Sequence, residues 1–103
     1  MDLTRETAYT AVRELKKRLR EQFGDTTEVY LFGSVARGDF DSESDIDVLV
    51  LIEGEESIER EKKIFNIAFK VELEYDVIFG VIVHSKNFWL SSNVMPIHKN
   101  IDQ

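Results

Sequence analysis

Gly33-Ser34-Val35-Ala36-Arg37-Gly38-Asp39-Phe40-Asp41-Ser42-Glu43-Ser44-Asp45-Ile46-Asp47 is the stretch on which the reading of this chain turns. Just before it, Glu28–Phe32 is a short run rich in β-branched and aromatic residues, the pattern of a strand that Gly33 ends. At its far end Ile46–Ile52 is almost continuously apolar, as expected of a central strand covered on both faces. Between the two, residues 34–44 carry Gly38, Asp39, Asp41 and Ser42 and read as a loop, with room for one helical turn after Ser34.

Outward from this centre, Ala8, Val12, Leu15, Leu19 and Phe23 recur at three- and four-residue steps and predict an amphipathic helix over 3–23. Its basic residues, Lys16 among them, are expected on solvated faces, and Gly24 stops it. Gly54 breaks the central strand, and a broad apolar face including Ile58, Ile64, Phe65, Ala68, Phe69 and Val71 predicts a second helix over 55–74. A third strand is expected over 75–83, a short helix capped by Ser85 through Leu90, and a further helix in the tail after Pro96. This order predicts an α/β (α+β) domain with a sheet of three or more strands and helices packed on it.

A chain of 103 residues fits one small domain, 1–103, whose thin core leaves a stabilising role for a homo- or hetero-oligomeric partner surface. The absence of cysteine excludes disulfides and thiolate metal sites. No apolar run approaches membrane-spanning length and the N-terminus has no hydrophobic signal core, so a cytoplasmic protein without a membrane partner is expected. The net charge of −7, from 20 acidic and 13 basic residues, argues against a nucleic-acid-binding face. His84 and His98 lack ligand spacing and are expected in polar loop roles, while Phe88 and Trp89 read as packing residues.

Two carboxylates remain for which solubility is a poor explanation. Asp45 and Asp47 are one residue apart at the mouth of an apolar strand, so alternation points both side chains to one face. Carboxylates held side by side repel, and a hard divalent cation between them, Mg²⁺ or Mn²⁺, removes the repulsion. Such a site completes its shell with water and phosphate oxygens, and Gly33-Ser34 supplies a matching device: a glycine allowing close backbone approach, loop amides and a hydroxyl. Arg37 reads equally as a surface ion-pair residue or a bidentate phosphate contact. Asp39, Asp41 and Glu43 read as turn and solubility residues.

Gly33-Ser34, ten residues, then Asp45-x-Asp47 resembles the signature of the DNA polymerase β-like nucleotidyltransferase superfamily. With Ala36-Arg37-Gly38-Asp39 and Ser44, the stretch resembles its minimal nucleotidyltransferases, above all the MNT antitoxins paired with HEPN toxins. The strong likeness covers residues 29–50; a weaker one over 75–101 extends it across most of the chain. The resemblance implies a small mixed sheet with helices on one side, two Mg²⁺ ions, and ATP as nucleoside triphosphate donor. It implies Gly33, Ser34, Arg37 and Ser44 as nucleotide-binding residues and Asp45 and Asp47 as catalytic metal ligands. The family's third carboxylate is assigned to Asp76, taken to open the third strand, with Glu74 and Glu72 as competitors and its absence as an alternative. Larger relatives hold the acceptor on an added helical domain, so here a partner protein is expected to present it. The implied reaction is transfer of AMP, or another nucleoside monophosphate, to a hydroxyl such as a HEPN toxin tyrosine; the alternative is an antitoxin that neutralises by binding alone.

Overall fold

A computed structural model describes residues 3–92 and 99–100, with side chains described as far as Trp89. Helix α1 (Arg5–Phe23) starts where the Thr4 side chain accepts a hydrogen bond from the Thr7 amide and ends at Gly24, whose N–H donates to the Arg20 carbonyl. It is followed by β1 (Glu28–Phe32), the short helix α2 (Gly33–Arg37), β2 (Ile46–Ile52), helix α3 (Ile58–Tyr75), β3 (Phe79–Ser85), helix α4 (Lys86–Ser92) and β4 (Lys99–Asn100). The sheet order is β3-β2-β1-β4; β1 is antiparallel to β2 and β4, while β2 and β3 are parallel and joined through α3. The α/β architecture and mixed sheet expected from the sequence are therefore present.

One strong hydrophobic layer holds these elements together. Ile46, Val48, Val50 and Ile52 point from one face of β2 into a core shared with Ala8, Val12, Leu15 and Leu19 of α1 and Ile64, Ala68 and Val71 of α3. Leu49 and Leu51, on the other face, are also buried, so β2 is covered on both sides. Only Asp47 interrupts the buried pattern of this strand. Lys16 departs from expectation, being 5% exposed rather than solvated. Ile58, Phe65 and Phe69 also depart from it: they face solvent, and α3 buries a narrower stripe than its apolar content suggested.

Two boundaries differ from the sequence reading. Ser57 caps α3 by accepting from the Arg60 amide, so the helix begins after the acidic turn instead of at 55. At the other end the helix runs through Tyr75 and closes with Asp76 in the left-handed conformation (φ 56°), its N–H donating to the Glu72 carbonyl. The third strand consequently starts at Phe79, and it continues through His84, which lies in β3 instead of a loop. Ser85 caps α4 as expected, accepting from the Phe88 amide. The helix expected after Pro96 and the reading of His98 fall largely outside the described residues; Lys99 and Asn100 pair with Leu31 and Tyr30 as an edge strand.

The core assignment makes a direct prediction. Leu15→Ala, which empties a fully buried position, should lower unfolding free energy by about 2–5 kcal/mol, whereas Phe69→Ala should change it by no more than about 0.5 kcal/mol. Urea unfolding followed by circular dichroism measures both.

Candidate functional site

Three strand ends meet at one end of the sheet. Asp47, the second residue of β2, is in register with Phe32, the last residue of β1, and with Gly80, the second residue of β3. Gly33 follows Phe32 directly with φ 75°, a conformation that L side chains rarely adopt. A β-carbon on Gly33 would overlap Asp47 Oδ2, and one on Gly80 would lie 2.8 Å from Asp47 Oδ1. The Asp47 carboxylate thus occupies a slot between two bare backbone positions, half-buried, while Asp45 just ahead of the strand is exposed.

The electrostatics of the slot are unfavourable in the protein alone. Burial pushes the Asp47 carboxyl above the ordinary aspartate value, the negative charge of Asp45 pushes it further, and the Arg37 guanidinium acts in the opposite direction. Asp45 and Arg37 are therefore both near enough to act on Asp47. Two oxygen-only side chains in mutual repulsion, one of them partly desolvated, fit a hard divalent cation that takes its remaining ligands from water and substrate phosphates.

The glycine–serine turn lies against this pair. Ser34 is in the first turn of α2; its carbonyl accepts from the amides of Gly38 (2.9 Å) and Asp39 (3.1 Å), and its hydroxyl has no hydrogen-bond partner among the described residues. Gly38 closes α2 in the left-handed conformation, which turns the chain back toward β2. Arg37 is exposed and meets Asp39 at 3.3 Å, a surface pair weak enough to be exchanged for a phosphate. Ser44 is differently employed: its hydroxyl accepts from the Asp41 amide at 3.0 Å and donates to Asp41 Oδ1 at 3.2 Å. Asp41 also accepts from the Glu43 amide, so it is the turn residue expected, and Ser44 serves to fold the approach to β2.

The candidates for a third carboxylate are dispersed. Asp76 does not open β3; it ends α3, and it lines a cavity of about 260 Å³ with Leu3, Ser42, Glu43, Val77 and Ile78. Glu74 forms a two-pronged pair with Arg18 of α1 (2.7 and 3.0 Å), which holds its carboxyl below the usual range. Glu72 accepts from the Phe79 amide at 2.7 Å, joining the end of α3 to the start of β3. Among the described residues no three carboxylate or histidine side chains gather closely enough to hold a metal ion together. The residue of β3 beside Asp47 is Gly80, which the sequence reading passed over; its one signal was a lone glycine inside a β-branched run.

Comparison with known proteins identifies the family of the chain. Residues 12–99 match the family described as Nucleotidyltransferase domain. The chain is 40% identical over 76 residues to "Putative protein adenylyltransferase MJ0141" of Methanocaldococcus jannaschii, covering 73% of this chain and 77% of the relative. It is 30% identical over 92 residues to "Putative protein adenylyltransferase MJ0604" of the same organism, covering 88% and 87% respectively. The crystal structure of a putative nucleotidyltransferase from Sulfolobus solfataricus superposes with a TM-score of 0.61 at 20% identity, covering 96% of this chain and 86% of that one, a likeness of fold. No described helix is long and apolar enough to cross a membrane.

The raised Asp47 carboxyl carries a sign that can be tested without substrate. Because the folded state holds this proton more tightly than the unfolded chain, the group favours folding below its ordinary value of 3.8 and loses that contribution as pH rises through the raised folded value. In buffer free of divalent cations, Asp47→Asn should therefore melt at a higher temperature than wild type at neutral pH, and the difference should shrink as pH falls toward 3.8. Melting curves across that range check it.

Proposed function

The chain belongs to the nucleotidyltransferase family and is a nucleotidyltransferase, and on that premise we propose that it transfers AMP from ATP to a protein hydroxyl. The observation that carries the reading is the slot: Asp47 held against Gly33, with the charge of Asp45 acting on it and Ser34 next in the chain. In this reading Asp45 and Asp47 hold Mg²⁺, two ions in the family's arrangement with Mn²⁺ as a substitute, and Gly33 and Ser34 receive the triphosphate.

The chain's own residues then have distinct tasks. Gly33 leaves room for both the Asp47 carboxylate and an approaching phosphate, and the Ser34 hydroxyl offers a hydrogen bond to a phosphate oxygen. Arg37 releases Asp39 and supplies a guanidinium to the same triphosphate. When bound, Mg²⁺ supplies positive charge that offsets the triphosphate and favours the ionised acceptor hydroxyl. In the reaction the acceptor oxygen forms a bond to the α-phosphorus, the bond from that phosphorus to the oxygen bridging to the β-phosphate breaks, pyrophosphate leaves, and the acceptor's proton is lost. Ser44 and Asp76 stand apart from this work.

A protein acceptor is supported by the names of the two archaeal relatives, whose lengths this chain largely spans. The likeness to MNT antitoxins narrows the acceptor to a tyrosine of a HEPN-type toxin, silenced by the added AMP. A second reading has one observation in its favour: no third carboxylate joins Asp45 and Asp47 among the described residues. On that reading the protein neutralises its partner by contact alone.

Labelled ATP, Mg²⁺ and a HEPN-type partner, incubated with wild type and with Asp47→Ala, separate the two. Catalysis predicts label on a partner tyrosine with wild type and background label with Asp47→Ala. Neutralisation that survives Asp47→Ala without any label transfer establishes the binding-only reading instead.

A further inference from the structure

Gly80 is the second residue of a β-branched edge strand, where glycine is a poor choice. Its backbone does not need glycine's conformational freedom, since it is absent from the positive-φ glycines, which are Gly24, Gly33, Gly38 and Gly54. The strand therefore accepts a residue that weakens it for some reason other than backbone geometry. Parallel pairing puts Gly80 in register with Asp47, and an added β-carbon would meet Asp47 Oδ1 at 2.8 Å with no other atom within 3.4 Å. On the opposite side the same carboxylate lies against Gly33.

We propose that Gly80 is a positioning residue: its missing side chain, together with that of Gly33, fixes the direction of the Asp47 carboxylate and so sets the geometry of the cation site. This inference rests on the reading of Asp45 and Asp47 as cation ligands and adds to it a residue on a third strand. Asp47 is an interruption in a strand that is otherwise buried, and its carboxylate lies between Gly33 and Gly80. Gly33 leaves the side of Oδ2 clear and Gly80 the side of Oδ1. A methyl group at position 80 turns the carboxylate away, and the cost falls on the Asp47 side chain, because the atom it meets is the end of a side chain and not backbone. The strand itself gains from the exchange, since alanine restricts the unfolded chain more than glycine does.

Two measurements on the whole chain test this. In the first, melting temperatures are compared for wild type, Gly80→Ala, Asp47→Ala and the double variant. Position 80 should respond to its neighbour, so Gly80→Ala raises the melting temperature more in the Asp47→Ala background, where no carboxylate is in the way. Equal changes in the two backgrounds overturn the proposal.

In the second, Mn²⁺ binding is titrated by its paramagnetic signal without nucleotide. Gly80→Ala should weaken it about 10- to 100-fold, the range seen when the support of a metal ligand is disturbed. If Asp47→Ala binds Mn²⁺ as wild type does, the cation reading itself fails. If Asp47→Ala loses Mn²⁺ while Gly80→Ala keeps wild-type affinity, the cation reading stands and the positioning role of Gly80 falls.

Discussion

A carboxylate on an otherwise buried strand must be given space and a direction, and the site end of this sheet is organised around that requirement. Asp47 has the last residue of β1 on one side and Gly80 of β3 on the other. The turn out of β1 begins with a glycine whose conformation and missing β-carbon both make way for Oδ2. The start of β3 provides the second clearance. Without these two bare positions the strand end would present Asp47 elsewhere.

The rest of the molecule holds this end in place. Four residues of β2 anchor into the layer formed by α1 and α3, so the strand that carries Asp47 is the best secured element of the sheet. Glu72 and Arg18 act at the margins of the same design. The first bonds the start of β3 to the end of α3, and the second ties Glu74 to α1, which keeps the helix pair in register. An apolar frame thus carries one polar end, where Asp45 and Asp47 repel each other.

The legible parts of the sequence were those governed by near neighbours. Periodicity located α1 and β2, and the spacing from Gly33-Ser34 to Asp45 and Asp47 marked the candidate site because all four lie within one strand–turn–strand unit. Asp76 misled for a physical reason: Tyr75 to Val77 reads as β-prone, yet the period of Ile64, Ala68 and Val71 carries the helix on, and a left-handed Asp76 ends it. Gly80 was hidden because its meaning depends on the lateral register of two parallel strands separated by a long helix. No local pattern specifies that register. The solvent-facing Phe65 and Phe69 were misjudged in the same way, since apolar content does not reveal which side of a helix its neighbours cover.

The most direct test of the central claim is anomalous scattering from crystals grown with Mn²⁺ and a non-hydrolysable ATP analogue. A peak bridging the carboxylates of Asp45 and Asp47, with analogue phosphates beside Ser34 and metal–oxygen distances of about 2.0–2.3 Å, is the predicted result. A peak away from this pair, or an Asp47 carboxylate turned out of the slot between Gly33 and Gly80 while the analogue is bound, would contradict it.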